Sequence, residues 1–154
     1  MSGRPSSPSV RRLCQWMDRG HGRLSFRLTQ VLTGHGCFAQ YLCRIGRERS
    51  PGCHHCGVGP DTVEHTVEEC PAWAWPRHYL ECEVGVNVSV NVLVERMLHS
   101  ENEWKAVVSF SETVMSRKEA AERERQRRAG VTDSRVLRRR RRPGNPDPVS
   151  RAPS

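Results

Sequence analysis

Four residues at zinc-ligand spacing fall within eighteen positions of this chain, in the segment CHHCGVGPDTVEHTVEEC. Cys53 and Cys56 form a C-x2-C pair, whose two-residue gap lets both thiolates turn onto one ion. His65 follows after eight intervening residues and Cys70 after four more. Three thiolates and one imidazole suit tetrahedral zinc, and a shell filled by four protein ligands leaves no position open for a reactive water. The expected role is therefore structural. The bland alternative is a set of buried cysteines with a bystander histidine. His54 or His55 could take the place of His65, although neighbours inside a C-x2-C knuckle usually point outward.

Other chemistry finds less support. His35 lies two residues from Cys37, but no third group or oxyanion-hole pattern accompanies them, so a turn histidine is the simpler reading. Cys14, Cys37, Cys43 and Cys82 read as small core residues or surface thiols. The aspartates are Asp18, Asp61, Asp133 and Asp147, none adjacent, which excludes the side-by-side carboxylates of two-metal polymerase chemistry. No catalytic residue is expected, and the chain is read as a non-enzyme.

The chain has 154 residues, 36% hydrophobic and 6% aromatic. So thin a core calls for a staple, and a structural zinc site contributes roughly 10–16 kcal/mol. The net charge of +8 is uneven: residues 1–49 carry nine bases and two acids, residues 50–110 three bases and nine acids, and residues 111–154 thirteen bases and six acids. Two basic arms flank an acidic centre. The opening MSGRPSSPSVRRLCQWM has arginines and prolines where a signal sequence would be apolar, and no apolar run approaches the roughly 20 residues of a membrane span. A nuclear or cytoplasmic protein, not secreted and without a membrane partner, is the expectation. Its seven cysteines then read as ligands or thiols rather than disulfides.

The elements that must hold these residues are helical. Residues 1–9 are expected to be disordered, and 10–49 form a basic helical segment. A helix Val10–Asp18 places Val10, Leu13, Cys14 and Met17 on one face. A second, Arg23–Leu32, buries Leu24, Leu28, Val31 and Leu32 and ends at the glycines of Thr33-Gly34-His35-Gly36. A third, Cys37–Ile45, turns Phe38, Tyr41, Leu42 and Ile45 inward. Residues 50–99 hold the knuckle and a following helix. Asp61 to Glu64 reads as a capping box for a short helix ending near Pro71, and Pro76 interrupts or restarts the helix around Trp73 and Trp75. The alternation of Val84, Val86, Val88, Val90 and Val92 suits a strand. An isolated strand has no partner, so a helix Val90–His99 is preferred. A capping box at Ser100 to Glu103 opens the long charged helix over 100–128. Its stripe of Trp104, Val107, Val108, Ser111, Val114 and Met115 stops there, leaving charge alone. Residues 129–154 are expected to be a disordered Arg-rich tail.

The stretch LTGHGCFAQYLCRIGRERSPGCHHCGVGPDTVEHTVEECPAW resembles the C-terminal region of non-LTR, LINE-like retrotransposon reverse-transcriptase polyproteins of the insect type. There a TGHG turn precedes a C-x2-C…H-x4-C zinc knuckle, an ECPAW-like exit and a helix rich in Glu and Arg, here SRKEAAERERQRR. The resemblance spans about Trp16 to Arg128. It implies zinc ligands at Cys53, Cys56, His65 and Cys70 and a turn at Thr33 to Gly36. The polymerase and endonuclease domains it implies upstream are not in this chain, which resembles a detached C-terminal module.

The expected function is non-catalytic binding of RNA or DNA, single-stranded, with a reverse transcriptase domain as a further partner. Arg11, Arg12, Arg19, Arg23 and Arg27, with Arg44, Arg47 and Arg49, would meet phosphates on one side. Arg138, Arg139, Arg140, Arg141 and Arg142 would do so on the other. Trp73 and Trp75 would stack on bases, although one of them is needed to pack against the knuckle. The alternative is a zinc-stapled structural or protein-interaction domain, or a relic fragment, with no direct nucleic-acid role. The acidic centre favours it.

Overall fold

The computed structural model describes residues 8–85 and 87–140. The chain is mainly helical: α1 Pro8–Asp18, α2 Phe26–Thr33, α3 Ala39–Arg44, α4 Ala74–Val84, α5 Val90–His99 and α6 Glu101–Arg140. Between α3 and α4 lie the Cys/His loop, a π-helical turn His65–Glu69 and a 3-10 turn Pro71–Trp73. Among the described residues there is no strand, only one antiparallel bridge between Gly52 and Pro60. The chain divides into two units. Met1–Ala120 contains the core, and the described part of Ala121–Ser154 is the remainder of α6.

Local chemistry sets the helix ends. The Ser25 hydroxyl accepts from the Leu28 N–H at 3.1 Å, so α2 begins later than the apolar spacing suggests and Leu24 stays exposed. Gly34 closes α2 at φ +70°, where a side chain would be strained, as the TGHG sequence predicts. Ser89 caps α5, which spans the expected Val90–His99. The Ser100 hydroxyl accepts from the Glu103 N–H at 3.2 Å, and the Glu103 carboxylate accepts from Ser100, Arg96 and His99. Pro76 falls in the first turn of α4, where its missing N–H costs little.

One core joins these elements. Leu28 and Val31 of α2, Phe38, Val63 and Val67 of the knuckle segment, Trp73, Leu80, Leu93 and Met97 form one buried cluster with Trp104, Val107, Phe110, Val114 and Met115 of α6. Several expected faces are corrected. Cys14 and Met17 of α1 are exposed, and that helix instead sets Trp16 on Trp104 with ring centroids 5.3 Å apart. Ile45 is exposed because α3 ends at Arg44, one residue before it. Gly22, at φ +87°, passes so close to Trp104 that a Cβ would sit 2.3 Å from its ring. Only glycine admits that approach.

The stripe on α6 does not stop at Met115. Lys118, its next position, is 1% exposed, and its ammonium meets Asp61 at 2.5 Å between the rings of Phe38 and Trp73. Nor does the helix end at Arg128. It runs to Arg140, with Glu124 bridging to Arg127 and Arg128 and the Thr132 hydroxyl donating to the Arg128 carbonyl. Arginine and glutamate are good helix formers, so pairs of this kind carry the helix without an apolar stripe. Residues 141–154, part of the expected tail, lie outside the described residues, as do residues 1–7.

Candidate metal centre

The C-x2-C turn is built by backbone hydrogen bonds that fold 51–61 back on itself. The Cys53 N–H donates to the Gly59 carbonyl at 2.9 Å, the Gly57 N–H to Cys53 at 2.9 Å, and the Asp61 N–H to Pro51 at 2.8 Å. Both thiols are thereby presented from one side of the loop. The other pair comes from a helical turn with an unusual pitch. His65 and Cys70 are five residues apart, too far for one α-helical turn. The Cys70 N–H reaches back to the His65 carbonyl at 2.6 Å, an i to i+5 closure that widens the turn and returns Cys70 to the face of His65.

All four ligand atoms lie within 4.8 Å of one another. Cys53 Sγ and Cys70 Sγ are 3.9 Å apart, and Cys56 Sγ lies 3.3 Å from His65 Nε2. Cys53, His65 and Cys70 are buried and Cys56 is partly so. This Cys3His group can hold a metal ion. No protein-family model, curated protein or solved structure matches this chain. The case for the centre therefore rests on its own geometry.

The surroundings orient each ligand. Thr62 Oγ1 accepts from the His65 N–H at 3.0 Å and caps the turn, a role the sequence pattern assigns to Asp61. The other ring nitrogen of His65, Nδ1, faces the Glu69 carboxylate at 3.5 Å, an arrangement that fixes the imidazole with Nε2 toward the cluster. The Val58 backbone is the main influence drawing the Cys56 thiol down to about 7. Partial burial opposes it and His65 assists. Burial pushes Cys70 up to about 12. Cys56 and Cys70 are thus of unequal acidity, and a bound cation would have to displace the proton from the buried Cys70.

Two residues outside the ligand set, Arg77 and Asp61, complete the scaffold. Arg77 of α4 donates to the carbonyls of Val67 at 2.7 Å, Thr66 at 3.3 Å and Cys70 at 2.7 Å, satisfying the exit of the π turn. Asp61 is buried and accepts from the Ala39 N–H at 3.0 Å, from Thr66 at 3.3 Å and from Lys118. The knuckle is therefore tied to α3 and α6 through one carboxylate. Neither role was legible in sequence. The only signal for Lys118 was its place on the apolar stripe of α6.

The remaining candidates separate into inward and outward residues. His54 is exposed against Glu48 at 3.2 Å, and His55 lies 4.8 Å from Trp73. The His35 ring lies 4.7 Å from that of Tyr41, tilted by 32°. Trp73 is buried, which removes it from the candidate base-stacking residues, whereas Trp75 is 81% exposed. Arg44, Arg47 and Arg49 are exposed. Arg27 is not available to phosphates as expected, because Glu112 and Glu119 of α6 hold it, each at 2.9 Å. Arg12 pairs with Glu95 at 2.5 Å, and Arg19 lies over the rings of Trp16 and Trp104. Arg138 is exposed; the side chains of Arg139 and Arg140, and the whole of Arg141 and Arg142, lie outside what is described.

Proposed function

We propose that Cys53, Cys56, His65 and Cys70 hold one zinc ion and that the chain is a non-catalytic nucleic-acid-binding module. It would be akin to the C-terminal region of a LINE-like reverse-transcriptase polyprotein, with single-stranded RNA or DNA as its partner. The observation that carries the zinc assignment is the convergence of four donors. Tetrahedral zinc at about 2.3 Å from sulfur and 2.0 Å from nitrogen separates its ligands by roughly 3.5–3.8 Å, and the 3.9 Å and 3.3 Å contacts bracket that range. Three thiolates and an imidazole are a borderline-soft set of the kind zinc prefers. When bound, the ion would cross-link the loop to the π turn. With all four positions taken by protein, it would supply stability rather than chemistry.

Nucleic-acid binding draws its support from the exposed Arg44, Arg47 and Arg49, from the arginines near the end of α6, and from the sequence resemblance. Its test is the affinity of the full chain for a labelled single-stranded RNA across about 50–200 mM salt. The logarithm of affinity should fall linearly with the logarithm of salt, and less steeply when Arg138 to Arg142 are replaced by glutamine. An absence of binding at the lowest salt would sink the proposal.

One observation favours the second reading, a zinc-stapled interaction domain. Glu64, Glu68 and Glu69 are exposed around the knuckle and would repel phosphate. Under that reading, zinc removal unfolds the protein while RNA affinity is missing throughout.

A further inference from the structure

Trp73 and Trp75 are two residues apart, yet the fold treats them oppositely. Trp73 closes the 3-10 turn and is buried beneath the knuckle. Trp75 lies in the first turn of α4 and stays exposed. Tyr79, one helical turn further along the same face, is also exposed. These two rings border a groove of about 390 Å³ between α4 and α6. Its floor is Leu80 and Phe110, both buried, and Ala106, Ser109 and Thr113 keep the α6 wall low. Arg117 stands at its edge, exposed and without an ion-pair partner among the described residues.

The groove differs from the other aromatic cluster on the surface. Tyr41 has His35 at 4.7 Å and the Arg44 guanidinium 5.3 Å from its centroid, so its faces are occupied. Among the described residues Trp75 has one ring neighbour, His78, near-perpendicular at 6.2 Å, and most of the indole is exposed. No carboxylate lines the α4/α6 groove, although it lies in the acidic centre of the sequence. Two exposed aromatic rings one turn apart, shallow walls and one free guanidinium match what unpaired bases and their phosphates require: stacking surfaces tolerant of sequence, with a cation alongside.

We infer that the groove bordered by Trp75, Tyr79 and Arg117 is where this chain takes unpaired bases of single-stranded nucleic acid, and that the zinc knuckle is the scaffold behind it rather than the contact surface. The inference rests on the nucleic-acid reading given above. It deepens that reading by moving the contact away from Glu64, Glu68 and Glu69.

The test uses the full zinc-loaded chain with a labelled single-stranded oligouridylate and, in parallel, an RNA duplex of the same length. Trp75→Ala and Tyr79→Ala alter exposed side chains, so zinc content and helical circular dichroism should match the wild type. Each should weaken single-strand affinity by ~10-fold or more with an unchanged salt slope, while duplex affinity stays put. Trp75→Phe should retain most of the affinity. Arg117→Gln should lower the salt slope by about 0.7, the value for one phosphate contact on a single strand. If the wild type binds the oligonucleotide and the Trp75→Ala/Tyr79→Ala double variant binds it within twofold, the groove is not the base site, although nucleic-acid binding stands. If the wild type binds no RNA at low salt, both readings fall. If the double variant binds RNA normally but loses capture of a helical peptide, the groove is a protein-docking surface and the inference is overturned.

Discussion

The Cys/His segment and the arginine-rich segment before it were both conspicuous by composition, and the fold uses them in different ways. In the knuckle, residue type and spacing determine use: four donors at C-x2-C…H-x4-C spacing come within 4.8 Å of one another. Among the arginines, residue type determines almost nothing. Arg27 is bound by two glutamates of α6, Arg12 by one glutamate of α5, Arg19 by two tryptophans, and Arg44 lies over Tyr41, while Arg47 and Arg49 are exposed without such a contact among the described residues. Coordination demands several specific atoms around one point, so its sequence signature is narrow. A guanidinium is satisfied by any carboxylate, carbonyl or ring that the fold brings near it.

The largest effect should come from breaking the knuckle itself. Chelation of the zinc-loaded protein, or Cys70→Ser, is expected to abolish cooperative unfolding and much of the helical signal. A structural zinc site contributes roughly 10–16 kcal/mol, more than a small domain has to lose. A metal-free protein with the same melting curve would refute the staple. Asp61→Ala comes next, at about 3–5 kcal/mol in urea unfolding, because it strands the Lys118 ammonium in the core. Replacing both partners with apolar residues should recover much of that loss. A full loss in the double variant would mean that the carboxylate matters through its bonds to Ala39 and Thr66 instead.

Arg77→Met should cost about 2–3 kcal/mol, since it leaves the carbonyls of Thr66, Val67 and Cys70 without their charged donor. Zinc affinity should fall with it, while RNA affinity measured at saturating zinc should not. The smallest effects sharpen the contrast among the arginines. Arg27→Gln should lower the melting midpoint without changing RNA affinity, whereas Arg44, Arg47 and Arg49 changed together to glutamine should do the reverse. Arg27 holds the Glu112 carboxyl below its ordinary range. The stability this pair contributes is therefore complete above the usual carboxylate pKa and lost as the pH falls through the lowered value in the folded protein. Wild type and Arg27→Gln should converge in melting temperature on acidification. A gap that persists at low pH would show that Arg27 acts through packing.

Legibility followed the same division. Helix periodicity, the capping box at Ser100 and the glycine at the end of α2 exposed most of the helical order, and α5 spans the expected residues. The errors lie where one residue could serve two masters. Leu24, Ile45 and Met17 fit an apolar face by spacing but fall beyond the ends or on the outer side of their helices. Lys118 failed the apolar test while sitting on the buried stripe, because its partner comes from 57 residues away. Trp73 and Trp75 carried identical promise in sequence, and only the break between the 3-10 turn and α4 sends one inward and the other out.

What the order of residues determined unaided is a helical chain with a Cys3His cluster and a long charged helix, since periodicity, capping and ligand spacing are local. The tertiary structure alone decided that a π turn brings Cys70 back to His65, that Asp61 and Lys118 tie the knuckle to α6, and which arginines and which tryptophan stay exposed. Those outcomes depend on the proximity of residues far apart in the chain, and a charge or an indole has no preferred place until the core that surrounds it has formed.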